Sequence, residues 1–319
     1  MGMGKDFFHE FPLVRSMFQE AEDLLSLPLR KVMFDGDEET LRQTRYAQPA
    51  LFLMGACIVR VMEDILECHV KDYFSYAAGH SLGEYTALYA VRALGFAQGI
   101  KMIAQRCAAM QKVQNGGMVA VLGLSMDQLH EAVHAVCQKG AACAVSNENS
   151  PVQTVVSGSQ SGLVLLSDMA KDMGASKVVP LNVSGPFHCD LMQEAQDEYA
   201  AYLEKETLND GICPVVTNVT GRPVWRAQDF SDHLARQITQ PVRWVETQKT
   251  LEELGVVQCL EMGPGRVLAG LARKTVPDLS VSSVGTFKEL RQWDQCVRPV
   301  YSDVAQSVLR PCADAITQS

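Results

Sequence analysis

Between residues 73 and 96 the chain reads YFSYAAGHSLGEYTALYAVRALGF. The first half predicts a short buried strand, Gly79-His80-Ser81-Leu82-Gly83 a sharp turn, and the rest a helix from about Glu84. A strand that runs into a helix through a five-residue turn commits the chain to an α/β architecture. A second stretch narrows the choice. MVAVLG (118–123), ACAVSN (142–147), QTVVSG (153–158) and KVVPLN (177–182) read as strands. Helices at 125–138, with Ser125 as cap, and 160–173 are interleaved with them. The order β-α-β-β-α-β is that of a split-βαβ, ferredoxin-like unit. A polar turn through Glu148–Pro151 joins its two middle strands.

The remaining pattern is helical with a few strands. Helices are predicted over 13–27, 46–68, 96–113, 189–206, 241–254 and 266–274. In the second, Leu51, Met54, Ile58, Val61, Met62 and Ile65 recur at helical spacing, and Pro49 sits near the start, where proline is tolerated. CPVVTNV (213–219) and VVQCLEMG (256–263) read as strands. The expected organisation is a discontinuous large α/β domain, residues 1–116 and 185–285, with the small unit inserted at 117–184. Peripheral helices follow over 286–319.

Composition excludes several classes. With 319 residues, 47% hydrophobic and 20% charged, the chain is globular rather than disordered or fibrous. A net charge of −9 argues against nucleic acid or an anionic membrane as partner. Apolar runs fall short of a membrane span, and no signal stretch opens the chain. The ten cysteines form no CxxC pair, which predicts reduced thiols in a cytoplasmic protein.

Gly79-x-Ser81-x-Gly83 has the form of a nucleophile elbow. The flanking glycines are expected to relieve clashes, and the helix N-terminus offers N–H groups to an oxyanion. The alternative is a glycine-rich turn capped by serine. A nucleophilic serine needs a base. Of seven histidines, His9 is near a terminus, His69 and His233 lie in polar stretches, and His80 points away along the turn. His188, in Ser184-Gly185-Pro186-Phe187-His188-Cys189, occupies a loop suited to a cleft; otherwise it is a helix-capping surface histidine. Arg106 interrupts an apolar helix face and could clamp a carboxylate, or lie on the surface with its stem against the core. His130-Glu131-Ala132-Val133-His134 matches HExxH. Its buried face is assigned to Leu129, Val136 and Cys137, with Val133 at the edge, so both histidines should face solvent, and no metal is expected.

Together these residues resemble the malonyl-CoA:acyl carrier protein transacylases, including the freestanding acyltransferases that serve polyketide synthases. The resemblance spans about residues 2–285. It rests on GMGKDFF near the start, GHSLGEYTAL, QRCAAMQ, Asn147-x-Asn149-Ser150-Pro151, PFHCDLM, TNVTGRPV, QPVRW and EMGPGRVL. It implies an α/β-hydrolase-like large domain with the ferredoxin-like insertion and the site between them. It further implies Ser81 as nucleophile and His188 as base, held by a backbone carbonyl at or near Gln240. Leu82 would supply an oxyanion N–H, Arg106 would bind the malonyl carboxylate, and Phe187 would bear on acyl selectivity.

The implied reaction is ping-pong transfer of malonyl from malonyl-CoA to the phosphopantetheine thiol of an acyl carrier protein, in fatty acid or polyketide synthesis, with no bound cofactor. A monomer is implied. Arg266, Arg273 and Lys274 could meet an acidic carrier surface, or form an ordinary charged helix end. Family members begin with a strand and a glycine-glutamine-glycine loop before the GMG segment; this sequence opens at Met1-Gly2-Met3-Gly4. Either the start is misplaced or trimmed, or catalysis lacks a second oxyanion donor, at a cost of about 3 kcal/mol. Two other functions stay open: an acyl hydrolase that clears carrier proteins, and a non-catalytic carrier-docking module.

Overall fold

A computed structural model of the chain describes residues 2–67 and 69–296. Long helices form where the apolar spacing is regular. Thr44–Leu66 buries Leu53, Met54, Cys57, Ile58, Val61 and Met62. Leu51, on the other side, is 41% exposed. The helix begins two residues earlier than predicted, so Pro49 lies in its second turn, where the ring removes one intrahelical donor. Phe96–Gln111 packs beside it and buries Gly99, Ile103, Arg106 and Met110, a stripe at intervals of three and four. These helices, Pro12–Leu25 and Gly83–Ala90 enclose the principal core.

Strands are short in this part. β1 (Ala77–Ala78) runs parallel to β6 (Val215–Val216), and β6 pairs antiparallel with β7 (Pro223–Val224). β8 (Gln258–Met262) and β9 (Ser280–Val284) form a separate parallel pair. The strand expected over 213–219 shrinks to two residues because the chain turns at Thr217–Gly221, where Gly221 N–H donates to the Thr217 carbonyl.

The inserted stretch has its own core. β2 (Gly117–Leu122), β3 (Cys143–Ser150), β4 (Gln153–Gly158) and β5 (Lys177–Pro180) form an antiparallel sheet in the order β3-β4-β2-β5. Val119 and Val121 face the helices Met126–Gln138 and Gln160–Asp172. Met118, Ala120 and Val155 face the other way, toward Phe187. Alternation thus gives both faces of the sheet something to cover. Ser125 caps its helix by accepting from Gln128 N–H. Strand β3 continues through Ser150, so the turn to β4 is only Pro151–Val152 rather than the longer Glu148–Pro151 segment. Val133 is half-buried, as its edge position implies, but Cys137 is exposed and Ala132 takes the inward position instead. His130 and His134 face solvent.

The two parts are tied together. Val242 N–H donates to the Ser146 carbonyl and Glu148 N–H to the Val242 carbonyl, both at 2.9 Å. Residues 287–296 are helical; the rest of the predicted C-terminal helices lies outside the described residues. Among the described residues no helix is long and apolar enough to cross a membrane.

Candidate active site

Ser81 stands at the top of the strand–turn–helix. Its φ is +50°, a left-handed conformation that costs a non-glycine residue roughly 1–3 kcal/mol and projects its side chain away from the turn. Gly79 makes the turn possible: a Cβ there would meet Gly83 carbonyl atoms at 2.0 Å. Gly83 is different from expectation, since a Cβ on it would meet nothing within 4 Å. The first helical turn closes with Gly83 N–H to the His80 carbonyl and Glu84 N–H to the Ser81 carbonyl. Leu82 N–H, at the helix start, makes no hydrogen bond among the described residues.

His188 is buried and reaches Ser81 from the segment that leaves the inserted unit. Its Nε2 is 2.8 Å from Ser81 Oγ and its Nδ1 is 2.7 Å from the Gln237 carbonyl. A carbonyl can only accept, so Nδ1 carries the proton and Nε2 is free to accept from the serine hydroxyl. The orienting carbonyl is therefore that of Gln237, three residues before Gln240, because the chain end of helix Ala227–Arg236 turns its carbonyls toward the histidine. The Gln240 carbonyl exerts a weaker influence on the same ring. Burial, and then the nearby Arg106 charge, depress the His188 pKa to about 3, which keeps the imidazole neutral at physiological pH. His188 is itself left-handed, φ +61°. Its N–H donates to the Ile238 carbonyl, and the preceding Phe187 carbonyl accepts from Ser157 Oγ.

Arg106 is 1% exposed, not a surface arginine. Nη1 donates to Gln48 Oε1; Nη2 donates to Gln237 Oε1 at 3.0 Å and to Ser81 Oγ at 3.2 Å. Nε has no partner. Among the described residues no carboxylate pairs with this guanidinium. Buried Glu84 acts on this charge only at longer range, through Gln237, and a buried guanidinium with no carboxylate in direct contact favours a ligand that supplies one. The arrangement therefore suits a ligand carboxylate placed next to the serine hydroxyl.

Several residues around the site carried no distinct signal in the sequence. Asn218 and Gln237 bridge the serine turn to distant segments. Glu84 is wholly buried, and burial raises its pKa to about 7. A carboxylate opening the otherwise apolar GEYTALYA helix was the one available hint. His80 turns away from Ser81, with Nε2 2.7 Å from Asn149 Oδ1 and its ring edge-on to Trp244. His233 is not on a polar surface but buried, 2.8 Å from Thr217 Oγ1. Phe187 packs against both the principal core and the outer face of the inserted sheet. Arg266 pairs with Glu289, and Lys274 donates to Gln153, while Arg273 is exposed.

A serine hydroxyl on an elbow, a neutral histidine aimed at it and a buried guanidinium beside it define a covalent acyl-transferring enzyme class. The comparisons agree: the acyl transferase domain family matches residues 1–292, and the chain belongs to it. A malonyl CoA-acyl carrier protein transacylase of Bacillus subtilis is 36% identical over 86% of this chain and 86% of its own length. An acyl-carrier-protein S-malonyltransferase from Bartonella henselae superposes with a TM-score of 0.89 at 34% identity, covering 93% of this chain and 95% of that one. A malonyl-transacylase solved in complex with its type II polyketide synthase acyl carrier protein gives 0.87 at 37% identity, over 92% and 94%.

Proposed function

We propose that this enzyme transfers a malonyl group from malonyl-CoA to the phosphopantetheine thiol of an acyl carrier protein through an ester on Ser81. The observation that carries the reading is a buried guanidinium, in direct contact with no carboxylate, 3.2 Å from a serine hydroxyl that also touches a neutral histidine. His188 Nε2 takes the Ser81 proton as Oγ attacks the thioester carbonyl. Charge on the carbonyl oxygen meets the free Leu82 N–H. The tetrahedral adduct expels CoA thiolate, which takes the proton from His188. Arg106 holds the distal carboxylate, and Phe187 limits the space beside it. The carrier thiol then repeats the sequence in reverse, with His188 as base and Ser81 as leaving group. The Gln237 carbonyl stabilises the imidazolium at each stage. Substrate and carrier bring CoA and phosphopantetheine, and this scheme requires no resident cofactor or metal.

The fold reading goes with it: an α/β-hydrolase-like domain from residues 1–116 and 185–285, with a ferredoxin-like insertion at 117–184. The antiparallel order β3-β4-β2-β5 and the helices on one face support the insertion. A monomeric cytoplasmic enzyme is the accompanying expectation.

Intact mass after mixing with malonyl-CoA tests the reaction. A malonyl adduct that disappears in Ser81→Ala and passes to added carrier protein is expected. Free malonate without carrier acylation would make the protein a hydrolase. No adduct and no CoA release would favour a docking module.

A further inference from the structure

Ser81 holds a left-handed conformation that its residue type disfavours, so something must hold it there. Gly79 permits the turn but does not enforce it. The enforcing contacts come from 137 residues away. Asn218 Oδ1 accepts from Ser81 N–H and Asn218 Nδ2 donates to the Gly79 carbonyl, both at 2.6 Å. One side chain thus grips a donor at the top of the turn and an acceptor at its start. Only a primary amide of this length both accepts and donates at adjacent atoms. Asn218 is anchored in turn: its N–H donates to Glu84 Oε2 at 2.9 Å, and its carbonyl accepts from Arg243 N–H. Glu84 belongs to the helix that Ser81 opens, so the contacts close into a ring. The same Oε2 accepts from Gln237 Nε2, which also donates to the Ser81 carbonyl. That fixes the Gln237 amide with its oxygen toward Arg106. All three side chains are fully buried.

We propose that Asn218, anchored by Glu84, is a positioning clamp that holds the Ser81 nucleophile at the distance and angle at which His188 can deprotonate it. The proposal rests on Ser81 acting as nucleophile. Both side chains are fully buried and neither hydrogen-bonds Arg106, so the clamp acts on the rate of ester formation and not on binding.

The test is the single-turnover rate of Ser81 acylation by malonyl-CoA, read beside phosphonylation of Ser81 by a fluorophosphonate, which needs no carboxylate site. In Asn218→Ala both rates should fall on the order of 100-fold, as expected for a misplaced reacting atom, with the malonyl-CoA concentration for half-maximal rate changed by less than about threefold. Glu84→Ala should lose a similar factor. Glu84→Gln, which keeps the acceptor oxygen, should recover to within about fivefold of wild type. A folded Asn218→Ala protein that acylates within threefold of wild type overturns the clamp. Where Asn218→Ala does not fold, the Glu84 pair decides: equal loss in both variants overturns it. A wild type that phosphonylates but takes no malonyl group sinks the malonyl reading alone, and the clamp is then read from phosphonylation. A wild type inert to both reagents overturns both.

Discussion

His188 shows how a single residue's surroundings set its chemistry. The unperturbed imidazole would be half protonated at 6.5, and a protonated ring cannot take the serine proton. Burial and the Arg106 charge both disfavour the cation and lower its pKa to about 3. The sign is clear: the active form is the neutral one, so a depressed value extends activity toward acid. We expect kcat/KM for Ser81 acylation to stay flat between roughly pH 5 and 8, with no acid limb at the ordinary histidine value. A limb centred near 6.5 would mean that the ring is solvated and the cavity open. Ser81, His188 and Arg106, which the sequence singled out as a glycine-bounded serine, a loop histidine and an arginine within an apolar helix face, lie together in the structure. Gln48 and Gln237 were not singled out, and Asn218 stood only inside the TNVTGRPV motif with no role attached. Each is an ordinary polar residue in its own neighbourhood, and its role depends on segments 25 to 156 residues away, as the Gln237–Ser81 contact illustrates.

At the level of elements, the turn discriminates between two glycines that look equivalent on paper. Alanine at Gly79 places a methyl group against backbone atoms at 2.0 Å, which no side-chain adjustment relieves. Gly79→Ala should therefore unfold the elbow, abolishing acylation and costing several kcal/mol of stability, about 3 or more by analogy with other overpacked sites. Alanine at Gly83 meets open space in the first helical turn. Gly83→Ala should leave the denaturation midpoint unchanged or raise stability by up to about 1 kcal/mol, since glycine is the poorer helix former. Urea denaturation of the two variants checks both. Helices with regular apolar spacing, such as 44–66 and 96–111, announced themselves. Helix Ala227–Arg236 did not, because it is largely polar and buries only Phe230, His233 and Leu234. The two-residue strand β7 is too short for alternation to register, whereas β1 and β6 fall within the segments read as strands before Gly79 and at 213–219.

The molecule as a whole assembles its site from both parts of the chain. Ser81, Arg106 and Gln237 belong to the helical part, but His188 arrives on the segment leaving the inserted sheet. Its strained backbone is fixed from two sides: Ile238 and Gln237 carbonyls on one, and Ser157 of strand β4 on the other, through Ser157 Oγ donating to the Phe187 carbonyl at 2.5 Å. Ser157 hydrogen-bonds neither Ser81 nor Arg106, so any effect of removing it travels through the Phe187–His188 peptide. In Ser157→Ala the Phe187 carbonyl loses a buried donor, at about 1–3 kcal/mol. The peptide before the base then keeps its hydrogen bonds to the helical part alone, while the Phe187 ring still packs on the sheet. We expect the acylation rate to fall roughly tenfold while half-saturation by malonyl-CoA is unchanged, as for a misplaced catalytic group with an intact binding site. Stopped-flow acylation beside a thermal melt separates the outcomes. A melt that shifts with no change in rate would confine the inserted sheet to stability. A rate that falls at constant half-saturation would make that sheet part of the machinery that aims the base.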